Sequence, residues 1–492
     1  MYIAPMRILT NKDIFLEEYS SKEAKEVYQK TNFDGSVAYA IENEDSITLF
    51  VDGRYYFQAQ KEVKSFVNVK LCLQGAFTGL LDFLKECTEE LIFVDFSRIS
   101  LEEAQMIQKI IPIKHFKDFS IEDFIPLNQD ISFFDKNKEI IIEKPHFVTH
   151  GPMIAWILNI RCFFSGSFKS HPQGKLFLLE NDETIFFTPY PEKFTPFVKS
   201  FPLSEYKKTL KNIPDNIYFD PRFISYEDFL FLSNVKPSYS IQKQQNIKSE
   251  KEIQAIKDTF LIHCKILKKT KESLNEKFSE KDFIDKFQSY FETYKVRDFS
   301  FTPICALNEN TPIIHYKKFN EQVQIPQVFL VDTGIYLESG YASDLTRTFF
   351  YRPKNSQKEE YTKVLKALIS IESRIYQEPP VGELLDKESK AIISYPHGLG
   401  HGVGIEVHEP GIWLSHRGKE PLQENSVFSI EPGFYNEFYG MRLENCATLR
   451  KNEKGFFLEI LNFYPYEEEM ILTEMLSNEE KNYLDHYLKQ CK

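Results

Sequence analysis

Hydrophobic and polar positions alternate in a way that predicts strands and helices in turn along the first half of the chain. Residues 46–52 (SITLFVD) and 91–95 (LIFVD) are short apolar runs typical of buried strands. Ser100 then precedes LEEAQMIQKI, a helix pattern with an N-cap and acidic residues in its first turn. This order of elements predicts an α/β (α+β) fold.

The strand, cap and helix pattern occurs a second time, 125 residues later (220 − 95 = 125). VDFSRISLEE at 94–103 resembles FDPRFISYED at 219–228, with Asp, Ile, Ser and Glu at equivalent places. We therefore predict two related α/β domains, 1–126 and 127–245, with the polar stretch 128–138 as their linker. A common strand–turn–helix element met twice by chance is the alternative.

A different pattern begins near residue 246 and predicts a third domain over 246–492. Ser249 and Glu252 form a capping box, and apolar residues then recur at steps of three and four. Ser279 begins a second amphipathic helix, and the rest of the chain is strand-rich with Gly and Pro between the strands. The apolar positions of the two helices are Ile253, Ile256, Phe260, Cys264 and Leu267, and then Phe283, Ile284, Phe287 and Phe291.

Composition and charge narrow the class of protein. The 492 residues are 42 % hydrophobic and 27 % charged, which excludes disorder over most of the chain. A net charge of −12 argues against a nucleic-acid partner, and no apolar run reaches the roughly 18 residues of a membrane span. Seven dispersed cysteines without a CxxC pair, and no readable secretory signal, predict a cytoplasmic protein.

Two aspartates stand at the ends of neighbouring strand patterns. The apolar run 328–331 (VFLV) ends in Asp332, and Asp344 follows twelve residues later in SDLTRTF. The intervening TGIYLESGYAS reads as a hairpin or bulged turn, which could bring both carboxylates to one face. An aspartate at a strand end is more often a cap or a turn former, and that interpretation stays open.

A histidine cluster follows in YPHGLGHGVGIEVHEPG. His397 and His401 stand four apart among four glycines, and His408 is seven residues further on. Glycines at this density argue against a regular helix and allow the backbone to approach another group closely. A single histidine is usually structural, but three in this setting favour a site.

Two glutamates complete the set, Glu431 in SIEPGFY and Glu444 in YGMRLEN. Both lie in apolar surroundings, where an unpaired carboxylate is costly to bury. A salt bridge, for example to Arg442 or Arg347, is the structural alternative.

Together these residues predict a dinuclear metal site. Carboxylates with an imidazole suit divalent ions such as Mn²⁺, Co²⁺ or Zn²⁺, and four carboxylates balance the charge of two such ions. Without the ions, each close carboxylate pair would repel by about 4 kcal/mol at 4 Å and an effective dielectric constant near 20. Two ions about 3.5–4 Å apart can share a water, lower its pKa and bind a carbonyl oxygen. This is hydrolytic chemistry.

The motifs, in this order, resemble the pita-bread metallopeptidases of family M24, and most closely its three-domain Xaa-Pro aminopeptidases. The resemblance covers nearly the whole chain and implies two creatinase-like N-terminal domains before a pita-bread catalytic domain. It also implies a homodimer. The motifs that carry it are FDGSVAYA, VDGRYYFQAQKEV, IAWILNIR, HGLGHGVG, VHEP, IEPGFY, MRLEN and the C-terminal FYPYEEEMILTEMLSNEEKNYL.

The resemblance also assigns roles to single residues. It implies that Asp332, His401 and Glu431 each bind one metal, Mn²⁺ above all, and that Asp344 and Glu444 bridge both. Glu431 would also be the general base. The remaining roles it implies are substrate contacts for His315, His397 and His408, orientation of carboxylates by Arg347 and Arg442, and lining of the site by Tyr341.

One departure from the family concerns the aspartate spacing, which is twelve here against the usual eleven. This predicts one extra residue in the hairpin, accommodated as a β-bulge.

The leading hypothesis is an aminopeptidase that removes the residue before proline at the second position of a peptide. A prolidase, which takes only dipeptides, is the first alternative, and three domains argue mildly against it. A non-catalytic pita-bread module that binds peptides or proteins is the second, and the complete ligand set argues against it. Creatinase activity is disfavoured because that branch lacks the metal set.

Overall fold

A computed structural model describes residues 6–118, 120, 130–164, 166–181, 183–210 and 216–491. The chain divides into two compact units. The first comprises 1–131, 139–167 and 171–241, and the second comprises 132–138, 168–170 and 242–492. Within the described ranges, no helix is long and apolar enough to cross a membrane.

The predicted domain borders relate to this division in different ways. The border at 126/127 lies outside the described residues, and the border at 245/246 falls inside a helix, Ser240–Asn246. Residues 128 and 129 of the predicted linker also lie outside the description, whereas Asp130–Phe133 forms a strand and 132–138 belong to the second unit. The division into three domains stays a prediction.

The first unit contains two six-stranded mixed sheets with helices between the strands, as the α/β pattern predicted. The first sheet has the order β4-β3-β2-β1-β5-β6 and the second the order β12-β11-β10-β8-β13-β14. The strands along this part of the chain are β1 Arg7–Thr10, β2 Tyr39–Glu42, β3 Ile47–Val51, β4 Val67–Leu71, β5 Ile92–Val94, β6 Ile113–His115, β7 Asp130–Phe133, β8 His146–Val148, β9 Ile160–Phe163, β10 Lys175–Leu178, β11 Thr184–Thr188, β12 Lys199–Pro202, β13 Ile217–Phe219 and β14 Val235–Pro237. The helices are α1 Glu26–Thr31, α2 Tyr56–Glu62, α3 Ala76–Glu86, α4 Leu101–Gln108, α5 Gly151–Leu158, α6 Pro191–Phe194, α7 Tyr206–Leu210, α8 Tyr226–Phe229 and α9 Ser240–Asn246.

The two sheets share one topology, while the relation predicted between the two segments stays a prediction. Three pairings in the first sheet involve β1 or its neighbour β2, and three in the second sheet involve the equivalent strands β8 or β10. Each matches its counterpart in parallel or antiparallel sense. The sequence match falls on equivalent elements. Ser100 caps α4 by accepting from the Glu103 amide at 3.2 Å, and Ser225 caps α8 by accepting from the Asp228 amide at 3.0 Å.

The matching segments also pair with each other around a local two-fold axis. The Leu101 amide donates to Ile224 O at 3.0 Å, and the equivalent Tyr226 amide donates to Ile99 O at 2.9 Å. A second equivalent pair of amide-to-carbonyl bonds lies beside these. Each segment therefore donates two main-chain hydrogen bonds to the other and accepts two from it. This second pair is Glu102 N to Pro221 O at 3.1 Å and Glu227 N to Phe96 O at 2.9 Å.

The second unit is built from helices packed on two sheets, with two further two-stranded pairs. The order is β16-β17-β19 in one sheet and β21-β20-β22-β25-β26 in the other. Two-stranded pairs are β15-β18 and β23-β24. The strands are β15 Asp298–Phe299, β16 Ile304–Leu307, β17 Val328–Thr333, β18 Ile335–Tyr336, β19 Leu345–Phe350, β20 Gly400–Gly402, β21 Glu409–Leu414, β22 Val427–Ile430, β23 Gly433–Tyr435, β24 Gly440–Arg442, β25 Asn445–Asn452 and β26 Gly455–Ile460. The helices are α10 Glu250–Ser273, α11 Glu280–Gln288, α12 Phe291–Tyr294, α13 Asn355–Glu372, α14 Gly382–Ile392 and α15 Asn478–Gln490.

Both helix starts predicted for this unit are confirmed. Ser249 and Glu252 form the capping box of α10, with the Glu252 amide 3.2 Å from Ser249 Oγ. Ser279 caps α11 in the same way, but α11 ends at Gln288, so Phe291 begins the separate helix α12. Apolar side chains of α10 and α11 pack on the β16-β17-β19 sheet, and those of α13, α14 and α15 pack on the five-stranded sheet. The site residues lie where the strands of these two sheets end.

Candidate active site

The two predicted aspartates lie on one face of the hairpin made by β17 and β19. Asp332 pairs with Thr346, and Asp344 is two residues before Thr346, so both aspartate side chains project from the same face. The predicted bulge is wrong: the Asp332–Thr346 and Tyr336–Ala342 pairs belong to one unbroken register. The longer spacing is taken up in the turn between Tyr336 and Ala342, where Gly340 has a φ of 67°.

The two glutamates are brought together by the neighbouring strands β22 and β25. Ile430 pairs with Asn445, so Glu431 directly after β22 faces Glu444 directly before β25. The Glu444 amide donates to Thr346 O at 3.2 Å, which joins this sheet to the aspartate hairpin.

His401 lies on β20, between the two sheet ends. Its Nε2 is 3.5 Å from Asp344 Oδ2 and 3.5 Å from Glu431 Oε1. Its Nδ1 is 3.1 Å from Gly402 O, and because a carbonyl can only accept, Nδ1 carries the proton and Nε2 faces the carboxylates. The close strand approach requires the neighbouring glycine, since a Cβ on residue 400 would lie 2.0 Å from Ser429 O.

The five predicted ligand residues therefore form one cluster. Asp332, Asp344 and Glu444 are buried, and one carboxylate oxygen of each lies within 4.8 Å of the others. His401 and Glu431 join them through the two 3.5 Å contacts.

Burial and mutual repulsion make this cluster electrostatically unfavourable on its own. Burial, and then the charge of neighbouring carboxylates, raise the pKa of Asp344 and of Glu444 well above their usual range. Asp332 Oδ1 is buried without a hydrogen-bond partner in the described part of the chain. A set of buried carboxylates with one orphaned oxygen and one imidazole nitrogen fits divalent cations.

Arg442 holds one side of the cluster in place. Its Nη2 donates to Asp332 Oδ2 at 2.7 Å, and its Nε donates to Thr346 Oγ1 at 3.1 Å. Thr346 in turn donates to Glu444 Oε2 at 2.8 Å. This confirms the predicted contact of Arg442 with a site carboxylate and adds Thr346, which the sequence reasoning missed.

Tyr435 is a second residue that the sequence reasoning missed. Its hydroxyl accepts from Arg442 Nη1 at 2.7 Å and lies 3.2 Å from His397 Nε2. Burial raises the pKa of Tyr435 to about 12, so the hydroxyl is neutral at physiological pH. His397 is thereby joined to the cluster through Tyr435 and Arg442.

The other predicted residues are placed differently. His408 packs against His401 with ring centroids 4.4 Å apart and an interplanar angle of 87°. His315 is half-buried in a turn between Ile314 and Tyr316, and its substrate role stays a prediction.

Two expectations about supporting residues need correction. Arg347 donates to main-chain oxygens, including Glu444 O and Tyr464 O, and to the amide oxygen of Asn445, so it supports the backbone and not a site carboxylate. The Tyr341 hydroxyl donates to Glu252 Oε1 at 2.6 Å, which directs it to the start of α10.

Comparison with known proteins agrees with this geometry. Residues 254–451 match the family model of metallopeptidase family M24. This part of the chain is an M24 metallopeptidase domain. All five clustered residues lie inside the matched segment.

Relatives extend the likeness beyond the M24 domain. Xaa-Pro aminopeptidase 1 of Dictyostelium discoideum is 27 % identical over 98 % of this chain and 89 % of its own length. The crystal structure of an X-prolyl aminopeptidase from Caenorhabditis elegans, described as a cytosolic enzyme with a di-nuclear active site, has the same fold. It aligns with a TM-score of 0.88 at 21 % identity, over 99 % of this chain and 91 % of that one.

A prolidase from Pyrococcus furiosus matches a smaller part. Its TM-score is 0.53 at 22 % identity, over 64 % of this chain and 95 % of the prolidase. The fold similarity to this prolidase therefore leaves about a third of the present chain without a counterpart.

Proposed function

We propose that the chain is a dinuclear-metal aminopeptidase that hydrolyses the N-terminal Xaa-Pro bond of peptides. The observation that carries the proposal is the convergence of four carboxylates and one imidazole within the segment that matches family M24. Full-length similarity to proteins named Xaa-Pro aminopeptidases supports the substrate class. Because the nitrogen of proline has no hydrogen to donate, this bond needs a dedicated site.

Five residues would hold the metals in this proposal. Asp332, His401 and Glu431 would each bind one ion, and Asp344 and Glu444 would bind both. Bound divalent ions would lower the pKa of a shared water and polarise the substrate carbonyl. We propose Mn²⁺ as the physiological ion, with Zn²⁺ or Co²⁺ as alternatives, because a mostly carboxylate set suits Mn²⁺.

Side chains of the protein would then transfer protons and stabilise the charge that develops on the substrate. Glu431 would take a proton from the attacking water and pass it to the departing proline nitrogen. His408 and His397, with His315, would hydrogen-bond the scissile carbonyl and the negative charge that develops on its oxygen. Arg442 and Thr346 would hold Asp332 and Glu444 in orientation, which supports catalysis without contact to the substrate.

The alternative functions remain distinguishable. A prolidase would accept Xaa-Pro dipeptides only, and the partial coverage by the Pyrococcus furiosus structure favours the longer-substrate aminopeptidase. A non-catalytic peptide-binding or protein-binding module would not need all five ligand residues, and all five are present.

The test compares substrates under one set of conditions. The purified chain with added Mn²⁺ is given an Xaa-Pro-Xaa tripeptide, the matching Xaa-Pro dipeptide and a tripeptide with alanine in place of proline. We expect release of the first residue from the proline tripeptide alone. Preference for the dipeptide would indicate a prolidase. No hydrolysis by protein that contains two metals per chain would refute the proposal.

The matched variants are Glu431→Gln and Glu437→Gln. Glu431→Gln keeps the shape but removes the base, so kcat should fall by about 10²- to 10⁴-fold. Glu437 is exposed in the nearby β23–β24 hairpin, and its replacement should leave kcat unchanged.

We further propose that the protein works in the cytoplasm as a homodimer. All seven cysteines are free thiols, which suits a reducing compartment. Analytical ultracentrifugation at micromolar concentration should give about twice the chain mass of 57.9 kDa.

A further inference from the structure

A buried ion pair lies beside the histidine loop of the second unit. The Lys248 side chain is 1 % exposed and the Glu409 side chain is fully buried. Lys248 Nζ donates to Glu409 Oε2 and also to Gln245 O at 2.6 Å. Lys248 immediately precedes the capping residue of α10, and Glu409 immediately follows His408.

Glu409 is fixed from several directions at the base of this loop. As the first residue of β21 it pairs with Gly402, the neighbour of His401. Its Oε1 packs so closely on Gly404 that a Cβ there would lie 1.9 Å away. Gln242 Nε2, from the same segment as Lys248, donates to Pro410 O at 2.6 Å. The loop from 402 to 409 is therefore tied at its base to the segment before α10.

The ion pair holds these two segments together. Either charge alone would be costly in this interior, so Lys248 and Glu409 must remain together. The backbone of Glu409 then fixes where the preceding residue stands. That residue is His408, whose ring contacts His401 edge-to-face. Small displacements of a group that acts in the transition state can cost about 10²-fold in rate.

We propose that Lys248 and Glu409 form a positioning pair that sets the place of the His408 imidazole in the reaction. The inference rests on the proposed function, because it assumes that His408 acts on the substrate. Neither residue of the pair is proposed to touch substrate or metal.

The primary test uses Lys248→Met in the Mn²⁺-loaded full chain, with Lys175→Met as the matched control. Lys175 forms a comparable buried pair with Asp228 in the first unit. Both variants should lower Tm. Only Lys248→Met should lower kcat on the Xaa-Pro-Xaa peptide, by about 10- to 100-fold, with KM changed by less than about threefold. Equal kcat in the two variants would overturn the proposal.

A double variant separates positioning from general damage. If Lys248 acts through His408, adding Lys248→Met to His408→Asn should cause no further loss of kcat. Losses that multiply would show that Lys248 acts independently of His408, and would overturn the proposal. Glu409→Gln, which keeps the shape of the side chain, replaces Lys248→Met if that variant does not fold.

A second readout is independent of activity. With ¹³C-labelled histidine, the His408 ring resonance is assigned by its loss in His408→Asn. It should shift in Lys248→Met and stay in place in Lys175→Met. An unshifted His408 resonance would overturn the proposal even if activity fell. Should the wild-type chain hydrolyse no Xaa-Pro peptide, the proposed function fails, and the resonance still tests whether the pair positions His408.

Discussion

Replacing one site aspartate should change stability in opposite directions with and without metal. In Asp344→Asn, the metal-free protein loses a carboxylate that lies within 4.8 Å of the carboxylates of Asp332 and Glu444. One such repulsion is worth about 3.5 kcal/mol at 4.8 Å and an effective dielectric constant of about 20. The metal-free protein can reduce this cost by taking up protons, so the expected gain in unfolding free energy is smaller, about 2 kcal/mol.

The assay is differential scanning calorimetry of the wild type and variant in EDTA and in saturating Mn²⁺. For a unit of about 250 residues, 1 kcal/mol shifts Tm by about 2–4 °C, so Asp344→Asn should melt about 4–8 °C higher in EDTA. In saturating Mn²⁺ the wild type should instead have the higher Tm. A ligand at 100 times its Kd stabilises by about 2.7 kcal/mol, and the variant forfeits much of that stabilisation.

The stability that Asp344→Asn gains in the metal-free protein depends on pH because the pKa values of Asp344 and Glu444 are raised in the wild type. A carboxyl with a raised pKa in the folded state binds protons more tightly there than in the unfolded state. Folded metal-free protein therefore loses stability as pH rises from the ordinary carboxyl value, near 4, toward the raised value. The advantage of Asp344→Asn should be absent below about pH 4 and grow above it.

A surface variant provides the control. Asp285 is exposed and pairs with Lys281 on α11, so Asp285→Asn should change Tm by little, and equally in both buffers. The reasoning is refuted if Asp344→Asn lowers Tm in EDTA as much as in Mn²⁺, because the carboxylates would then not destabilise the metal-free site.

Two further predictions concern hydroxyl groups. Thr346→Val removes the hydrogen bond to Glu444 and the acceptor for Arg442 Nε. The affinity for Mn²⁺, measured by calorimetric titration, should therefore fall by about 10- to 100-fold. An unchanged affinity would contradict the role given to Thr346. Ser100→Ala and Ser225→Ala remove equivalent helix caps, so each should cost about 1 kcal/mol of unfolding free energy in urea. Markedly unequal costs would show that the two caps do not have equivalent surroundings.

The residues that converge at the site could be predicted from the sequence because of where the acidic residues occur. Asp332 and Glu431 end apolar strands, where a carboxylate without a partner is costly. The order of residues in the motifs then supplied the rest, including His401 among its glycines. The roles of these residues as ligands stay predictions, while their convergence is a property of the fold.

The residues that orient the site carboxylates were harder to predict, because Arg347 and Arg442 looked alike in the sequence. Strand parity separates them. Thr346 lies two residues after Asp344 and faces the same side of β19, whereas Arg347 faces the other side, toward Tyr464 and Asn445. Parity could therefore have found Thr346 and excluded Arg347. Tyr435 gave no such signal, because its contacts depend on how the β23–β24 hairpin folds over Arg442.

The repeat in the first half was visible as matching residues, but the contact between the two matching segments could not be predicted from it. A 125-residue match predicts two similar sheets, and says nothing about whether the matching segments touch. Their pairing depends on contacts between residues far apart in sequence, which a local pattern does not encode. The turn that absorbs the long aspartate spacing was mispredicted for a similar reason, since register is set by the whole hairpin.

The two-fold pairing of the segments around Ser100 and Ser225 has the geometry of an isologous dimer within a single chain. In a true dimer, such a contact would weaken on dilution. Here both halves belong to one chain, so the contact is intramolecular and does not weaken on dilution. The segments around Ser100 and Ser225 therefore stay paired however scarce the protein is.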